Sequence, residues 1–563
     1  MNQTCQNCKK EFLIDADNQA FCDKMKVPYP TWCSLCRLTR RLAVQNAYNV
    51  FFRNCNKCDK QIMSIYRPDS PVIVYCQSCW WNVDEWDGTE YGMDYDSTRP
   101  FLEQWRELQL KTPQCALENE YLTLVNSEYT NAVAFMKNCY MCFWADYCES
   151  VYHSSILNTV IDSSDILRGY KSELCYGSVG IGNCSKTYFC DTCDDCVDVW
   201  FSRNCYGCMN CIGCVNLRGQ SYMIFNQKYS REEYFEKIKE FKLDTRNGIK
   251  EIQQKSEAFI KQFPVREYGG NAQNFNVSGE YIFNSKNAKN CYMCIDVEDV
   301  SNTQFVTVPT AKDCYDYSGW GNGASQLYEV ANCGNGVNNV KFSYYCFPDI
   351  LNTEYSMWCI GAKNNFGCAN LKRKQYAILN KVYDKETYEK LVAQIKIDMM
   401  ENPYIDSKGR IYKYGEFFSP EFSLFPYNDS NAMKFLPNTK EEIINQGYAW
   451  KDKTENSYPA TIQAKDLPQT INEVSENIIH EVISCHECTK SYKIANGEYT
   501  VLKKLNLPIP DICPKCREAN RFSKINKPIF KNSTCAQCGT GIQTAHNEDK
   551  IIYCVKCYQQ EIV

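Results

Sequence analysis

The sequence predicts a mainly β chain in which tandem four-cysteine zinc ribbons at both termini flank two homologous β-solenoid-like modules, each closed by a helix. Three observations predict it. A C-x2-C-x24-C-x2-C stretch runs from Cys5 to Cys36 and again from Cys485 to Cys516. Each copy is followed, 19 residues on, by a second pair of CxxC knuckles. Between the ends, KNCYMC stands at 137–142 and again at 289–294, in segments rich in Tyr, Val, Ile and Thr and broken by Asn, Asp and Gly.

The chain of 563 residues is too long for one core. The expected division is 1–82 and 480–563 as tandem ribbons, 136–244 and 289–397 as the two modules, 83–135 as an aromatic and acidic connector, 245–288 as a helical linker, and 398–479 as an irregular connector. Thirty-seven cysteines in a chain that opens MNQTCQNCKK, without an apolar signal segment, point to a reducing cytoplasm and thiolate–metal chemistry rather than disulfides. No apolar run approaches the roughly 18 residues of a membrane span. The net charge is −5, yet residues 1–60 carry ten Lys or Arg against five Asp or Glu, and residues 480–563 carry twelve against eight. Basic ends flanking an acidic middle suit nucleic-acid contact at the ends, or simply solvated faces.

In the N-terminal unit, Cys5, Cys8, Cys33 and Cys36 make one set of four thiolates, and Cys55, Cys58, Cys76 and Cys79 a second. The C-terminal unit offers Cys485, Cys488, Cys513 and Cys516, then Cys535, Cys538, Cys554 and Cys557. Two knuckles joined by a hairpin place four sulfurs in a tetrahedron, the arrangement zinc takes in closed structural sites, so about four zinc ions per chain are expected. An offset of 480 residues relates the two ends: Arg37 and Arg41 match Arg517 and Arg521, and Asn46 matches Asn526. Cys22 has Leu502 as its counterpart and reads as a small buried hydrophobe. His480 and His486 flank a knuckle whose four thiolates are complete without them. The ribbon–module–module–ribbon order suggests that the two ends meet and form one four-zinc surface.

The first ribbon of each end, with an aromatic after the first knuckle and a Pro-x-x-Cys-x-x-Cys-Arg ending at Pro30–Arg37 and Pro510–Arg517, resembles the probable zinc-ribbon family of bacteria and plants. The resemblance covers about 40 residues at each end and implies a fold and a metal. The whole chain resembles cysteine-rich zinc-ribbon proteins of small-genome bacteria, which implies no activity.

Past the fourth cysteine, RLTRRLAVQNAYNVFFR carries Arg37, Arg40, Arg41 and Arg53, and its counterpart carries Arg517, Arg521, Lys524 and Lys527. Arginines interleaved with aromatics suit RNA or a ribonucleoprotein, through phosphate contacts and base stacking. The plainer reading is a linker between ribbons. Beyond it, Trp80, Trp81 and Trp86 are expected to pack the ribbons onto the next part of the chain. Pro100 then opens a helix over 100–111 with Phe101, Trp105 and Leu108 on one face.

In the modules, Asn-Cys or Asp-Cys recurs at about 20–24 residues, as at Asn183-Cys184 and Asn204-Cys205. That spacing is read as one coil of a parallel β-helix, with Asn at left-handed corners and Cys inside; an antiparallel β domain is the alternative. Cys190 to Cys214 has the look of an iron–sulfur run, but the aligned second module has Ala362 for Cys208 and Asn365 for Cys211. Helices from Ser230 and Asp384 are expected to plug the modules, and another helix covers 248–263. The polar stretch 451–470 reads as a linker.

No HExxH helix, nucleophile elbow or P-loop is present, only four histidines occur, and no small-molecule substrate is evident. The expected function is a non-enzymatic zinc-binding protein whose basic ends bind RNA or a ribonucleoprotein. The alternatives are a scaffold with protein partners on the solenoid faces and purely structural ribbons, and a metalloenzyme or iron–sulfur protein.

Overall fold

The structure, a computed structural model, describes residues 1–271, 273–452, 458–488 and 490–562. It is mainly β, dominated by a 12-stranded sheet between Asn131 and Lys228 and a 10-stranded sheet between Phe275 and Val382.

Both sheets are parallel except for a closing antiparallel hairpin at Gln227–Lys228 and at Lys381–Val382. In the first, partners stand twelve residues apart: Asn131 opposite Phe143, Ser155 opposite Leu167, Val197 opposite Met209 and Met209 opposite Ser221. In the second, the step ranges from eleven, at Phe275 and Lys286, to fourteen, at Val297 and Ala311. The backbone unit is shorter still. Every third residue has positive φ, as at Asn183, Lys186, Phe189 and Thr192, and the residue after it points inward: Cys184, Thr187, Cys190 and Cys193 are all buried. Four such three-residue sides bring the chain back under its own preceding strand.

The register of about twelve differs from the 20–24 residue spacing read from the sequence. Asn-Cys marks a left-handed residue followed by an interior one, a relation that recurs every three residues. The spacing of 20–24 picked out only those corners where Asn or Asp and Cys coincide. A left-handed conformation costs a non-glycine residue roughly 1–2 kcal/mol, and some corners recover part of this through side-chain ladders. Asn339, Asn352 and Asn364 are linked in succession by amide hydrogen bonds of 2.8 and 2.9 Å, and Asn204 reaches Asn216 at 3.0 Å.

The closing helices form where their caps predict. Ser230 and Glu233 make a reciprocal capping box for the Arg231–Glu240 helix, which buries Tyr234, and Asp384 caps Lys385–Glu401, which buries Tyr388, Ile395 and Met399. The linker helix runs Arg246–Ile260 from a Thr245 cap. Of the polar stretch 451–470, residues 453–457 lie outside the described residues.

The ends attach crosswise. The Phe101–Lys111 helix precedes the first stack in sequence, yet Phe101 packs on Phe366 at 5.1 Å between ring centroids and Trp105 on Phe418 at 4.0 Å. Trp80 meets Trp358 at 5.5 Å, and the Lys372 ammonium sits 4.0 and 4.2 Å from the ring centres of Trp80 and Trp86. Trp80 also donates to the Pro113 carbonyl at 3.0 Å, so these tryptophans pack the N-terminal ribbons against both the following segment and the second stack. Conversely, Tyr558 in the last ribbon hydrogen-bonds Asn204 and Asn216 of the first stack. Each second ribbon also adds a short parallel pair to the chain entering a stack: Val74–Tyr75 with Gln114–Cys115, and Ile552–Tyr553 with Val265–Arg266. The two ends meet through Tyr48 and Phe522, whose rings lie 5.6 Å apart and perpendicular.

Two buried carboxyls lie along these contacts. Glu118, in the chain entering the first stack, accepts a hydrogen bond from Asn332 of the second at 2.6 Å, and Glu280 accepts from the Gly269 amide at 3.0 Å. Burial pushes both up to about 7. A pKa raised above its unfolded value contributes stability that is present below about pH 4.5 and lost as the pH rises through 7. Stability is therefore expected to fall between pH 5 and pH 8, by up to about 3 kcal/mol for each carboxyl. Glu280→Gln should flatten its share of that fall in denaturant titrations at the two pH values; an unchanged slope would contradict the assignment.

Candidate metal centres and their arginine anchors

Each ribbon is built the same way. A short antiparallel hairpin carries the first knuckle: Asn2–Thr4 with Glu11–Leu13, Phe51–Asn54 with Gln61–Ser64, Ile483–Ser484 with Ser491–Tyr492, and Lys531–Thr534 with Gly541–Thr544. The third cysteine is the N-cap of a helix, at Cys33, Cys76, Cys513 and Cys554. Its amide donates to the sulfur of the first cysteine at 3.2–3.3 Å in all four. The first ribbons also hold a helix between knuckles, Ala16–Met25 and Asn496–Leu505, each ended by a left-handed residue, Lys26 or Asn506. Cys22 lies buried in the first of these helices, as expected, and burial pushes its thiol up to about 11.

The sixteen cysteines named from the sequence gather into four groups of four, and within each group all four sulfurs lie within 4.8 Å of one another. Sulfur–sulfur distances are 3.8 Å for Cys8 and Cys33, 3.9 Å for Cys58 and Cys76, 3.7 Å for Cys488 and Cys513, and 3.8 Å for Cys538 and Cys554. The edge of a tetrahedron with zinc–sulfur bonds of about 2.3 Å is about 3.8 Å, so the donor set and its size fit zinc. No histidine joins any group. Burial raises the leading thiols, but amide donors outweigh it and hold Cys55 and Cys485 at about 7 and Cys535 at about 6. That brings them toward the thiolate form a metal needs.

No protein family, curated protein or solved structure matches this chain. The four groups are zinc-ribbon-like in ligand type, spacing and geometry, and can hold metal ions. Among the described residues these are the only groups of three or more such ligands so gathered. Cys190 to Cys214 are not among these groups.

The basic residues expected to face nucleic acid are placed differently. Arg37, Arg40 and Arg41 lie on the Ser34–Ala43 helix, are at most 2% exposed, and point into the second stack. Arg37 pairs with Asp316 at 2.9 Å, Arg40 with Glu329 at 3.0 Å and Glu416 at 3.2 Å, and Arg41 with Asp316 at 3.2 Å and Glu329 at 3.3 Å. Arg40 also stacks 4.0 Å over Trp32. At the other end, Arg517 and Arg521 on the Pro514–Lys524 helix enter the first stack. Both pair with Asp165, and Arg517 also meets Glu498 at 2.6 Å. His153 lies 3.2 Å from Glu498.

Arg53 donates to the carbonyls of Arg67 and Val72, and Lys527 to those of Lys434 and Phe522. Of the eight, only Lys524 is exposed. The expectation of phosphate contact is thus corrected for Arg37, Arg40, Arg41, Arg517 and Arg521. Their donors are directed at internal carboxylates, and exposing them would separate buried ion pairs. A pattern of arginines and aromatics cannot tell these cases apart, because the carboxylates lie far off in the chain: 275 residues from Arg41 to Asp316 and 376 from Arg40 to Glu416. Glu498, only 19 residues from Arg517, is the exception.

Proposed function

We propose that this chain is a zinc-binding, non-enzymatic protein scaffold. In this reading the two parallel stacks are short β-solenoids with a coil of about twelve residues. Metal-loaded ribbon pairs clamp them together and leave their outer faces to protein partners. The crosswise anchoring carries the reading: the arginine helix of each first ribbon enters the stack farther from it in the chain. It favours a structural role for the ribbons over an RNA-binding one, since the guanidinium groups that would meet phosphates are already bound to carboxylates.

The test is an affinity pull-down of the full chain from native cells, split into nuclease-treated and untreated halves, with zinc measured on the same sample. About four zinc per chain and protein partners that survive nuclease are expected. Loss of those partners on nuclease treatment, with RNA retained in a salt-sensitive way in the untreated half, would overturn the scaffold reading.

A further inference from the structure

Of the thirty-seven cysteines only Cys58 and Cys538 are exposed. Each ends the first knuckle of a second ribbon, and the 480-residue offset relates the two. Their counterparts in the first ribbons, Cys8 and Cys488, are half-buried. What lies over each knuckle accounts for the difference. At the N-terminal end, Asn7 donates to the Gln446 side chain at 3.0 Å and accepts from Arg410 at 2.7 Å, so the chain around 410–446 covers the first knuckle. At the C-terminal end, the Ser484 amide donates to the Ile462 carbonyl at 3.0 Å and the Ala464 amide to the Ser484 hydroxyl at 3.1 Å, beside Cys485. In the second ribbons the knuckle residues turn back on their own ribbon instead. Asn56 exchanges hydrogen bonds with the Val74 backbone, and the Ala536 amide donates to the Ile552 carbonyl.

The exposed sulfurs also stand close to a join between ribbon and stack. Cys58 lies 3.9 Å from Cys76, and Cys538 lies 3.8 Å from Cys554. Cys76 and Cys554 directly follow the short strands Val74–Tyr75 and Ile552–Tyr553, which pair with the chain entering each stack. The Gln114 and Ala116 amides donate there to the carbonyls of Ile73 and Tyr75 at 2.8 and 3.0 Å. The Val265 and Glu267 amides donate to those of Ile551 and Tyr553, both at 2.8 Å.

We propose that Cys58 and Cys538 are oxidation sites through which hydrogen peroxide empties the two second ribbons of zinc while the first ribbons keep theirs. Attack by peroxide follows thiolate character and exposure. The Cys58 sulfur takes one peroxide oxygen and becomes a sulfenic acid, and the Cys76 thiolate then displaces that hydroxyl and closes a disulfide. Two zinc-bound thiolates, one hydrogen peroxide and two protons give one disulfide and two waters. Zinc, left with two thiolate ligands, departs to solvent. Cys538 and Cys554 react in the same way. Each oxidised ribbon then releases its strand pair, while the arginine anchors on the first ribbons hold. The proposal rests on the zinc-loaded reading of the ribbons.

Zinc per chain, measured before oxidant is added, tests that reading alone. The full chain is then treated with hydrogen peroxide while released zinc is followed with a chromogenic chelator. Samples are alkylated over time and mapped by mass spectrometry. Two of four zinc ions are expected to leave roughly tenfold faster than the other two, with Cys58 and Cys538 the first cysteines lost to alkylation. Amide exchange at Gln114, Ala116, Val265 and Glu267 should rise as they go. Release of all four ions in one phase, oxidation that starts in a first ribbon or inside a stack, or unchanged exchange at those four amides would overturn the proposal. Should the chain hold fewer ions, the order of cysteine oxidation still decides.

Discussion

Glu329→Ala is expected to be the most destabilising single substitution away from the cysteines, at about 3–5 kcal/mol. Glu329 is 2% exposed and lies against all three guanidinium groups of the Ser34–Ala43 helix, at 3.6, 3.0 and 3.3 Å. Three buried cations then face Asp316, Glu329 and Glu416, so charge balances only while all three carboxylates are present. Removing one leaves a positive charge in a region with little water, and the loss includes its desolvation as well as the missing attraction. The exposed Lys312–Glu298 pair, at 2.9 Å, is the control, and Lys312→Ala should leave stability unchanged. Denaturant titration of both variants, with zinc content measured alongside, separates the outcomes. A Glu329→Ala chain that unfolds at the wild-type midpoint would show that the network is not what holds the ribbon to the stack.

Loss of one first-ribbon metal should have a larger effect, because metal and anchor share one helix. Cys36 is followed directly by Arg37, and Cys516 by Arg517. A metal that fixes the first turn of each helix also sets the direction in which the arginines of the later turns point. Structural zinc contributes roughly 10–16 kcal/mol to the folding of small zinc domains, more than the anchor alone. Cys36→Ser is therefore expected to lower bound zinc by one ion, open residues 1–45 to protease, and expose Trp32, which is fully buried between Arg40 and Tyr412. Its fluorescence should shift to the red as it meets water. Because the same helix ties this end to the second stack, the radius of gyration should rise, and it should not recover on adding zinc. A chain that keeps four zinc, or keeps its compactness with three, would contradict this coupling.

The sequence made the cysteine groups legible because a CxxC knuckle is local. Two residues between cysteines suffice to aim both sulfurs at one point, and a hairpin of any moderate length brings two knuckles together. For the same reason the caps at Ser230 and Asp384 could be read directly, since each is a contact over three residues. The apolar face of Phe101, Trp105 and Leu108 was equally plain from spacing alone. The inward direction of the interior cysteines followed from their pairing with Asn and Asp at left-handed positions. The step between paired strands did not, because a three-residue unit gives the same environment at every multiple of three, and only the hydrogen-bonded register selects about twelve.

What the sequence determined by itself is therefore the set of candidate metal-ligand cysteines, the left-handed corners where Asn or Asp precedes Cys, and the capped helix starts, all fixed by chemistry within a few residues. Only the tertiary structure decided what the arginines do. Arg41 and Asp316, or Arg521 and Asp165, are some 275 and 356 residues apart in the chain, and a guanidinium reads the same in sequence whether it will meet a phosphate or a carboxylate. Burial settles the matter: a cation removed from water must find an anion inside, and here each end of the chain finds it on the stack farther away.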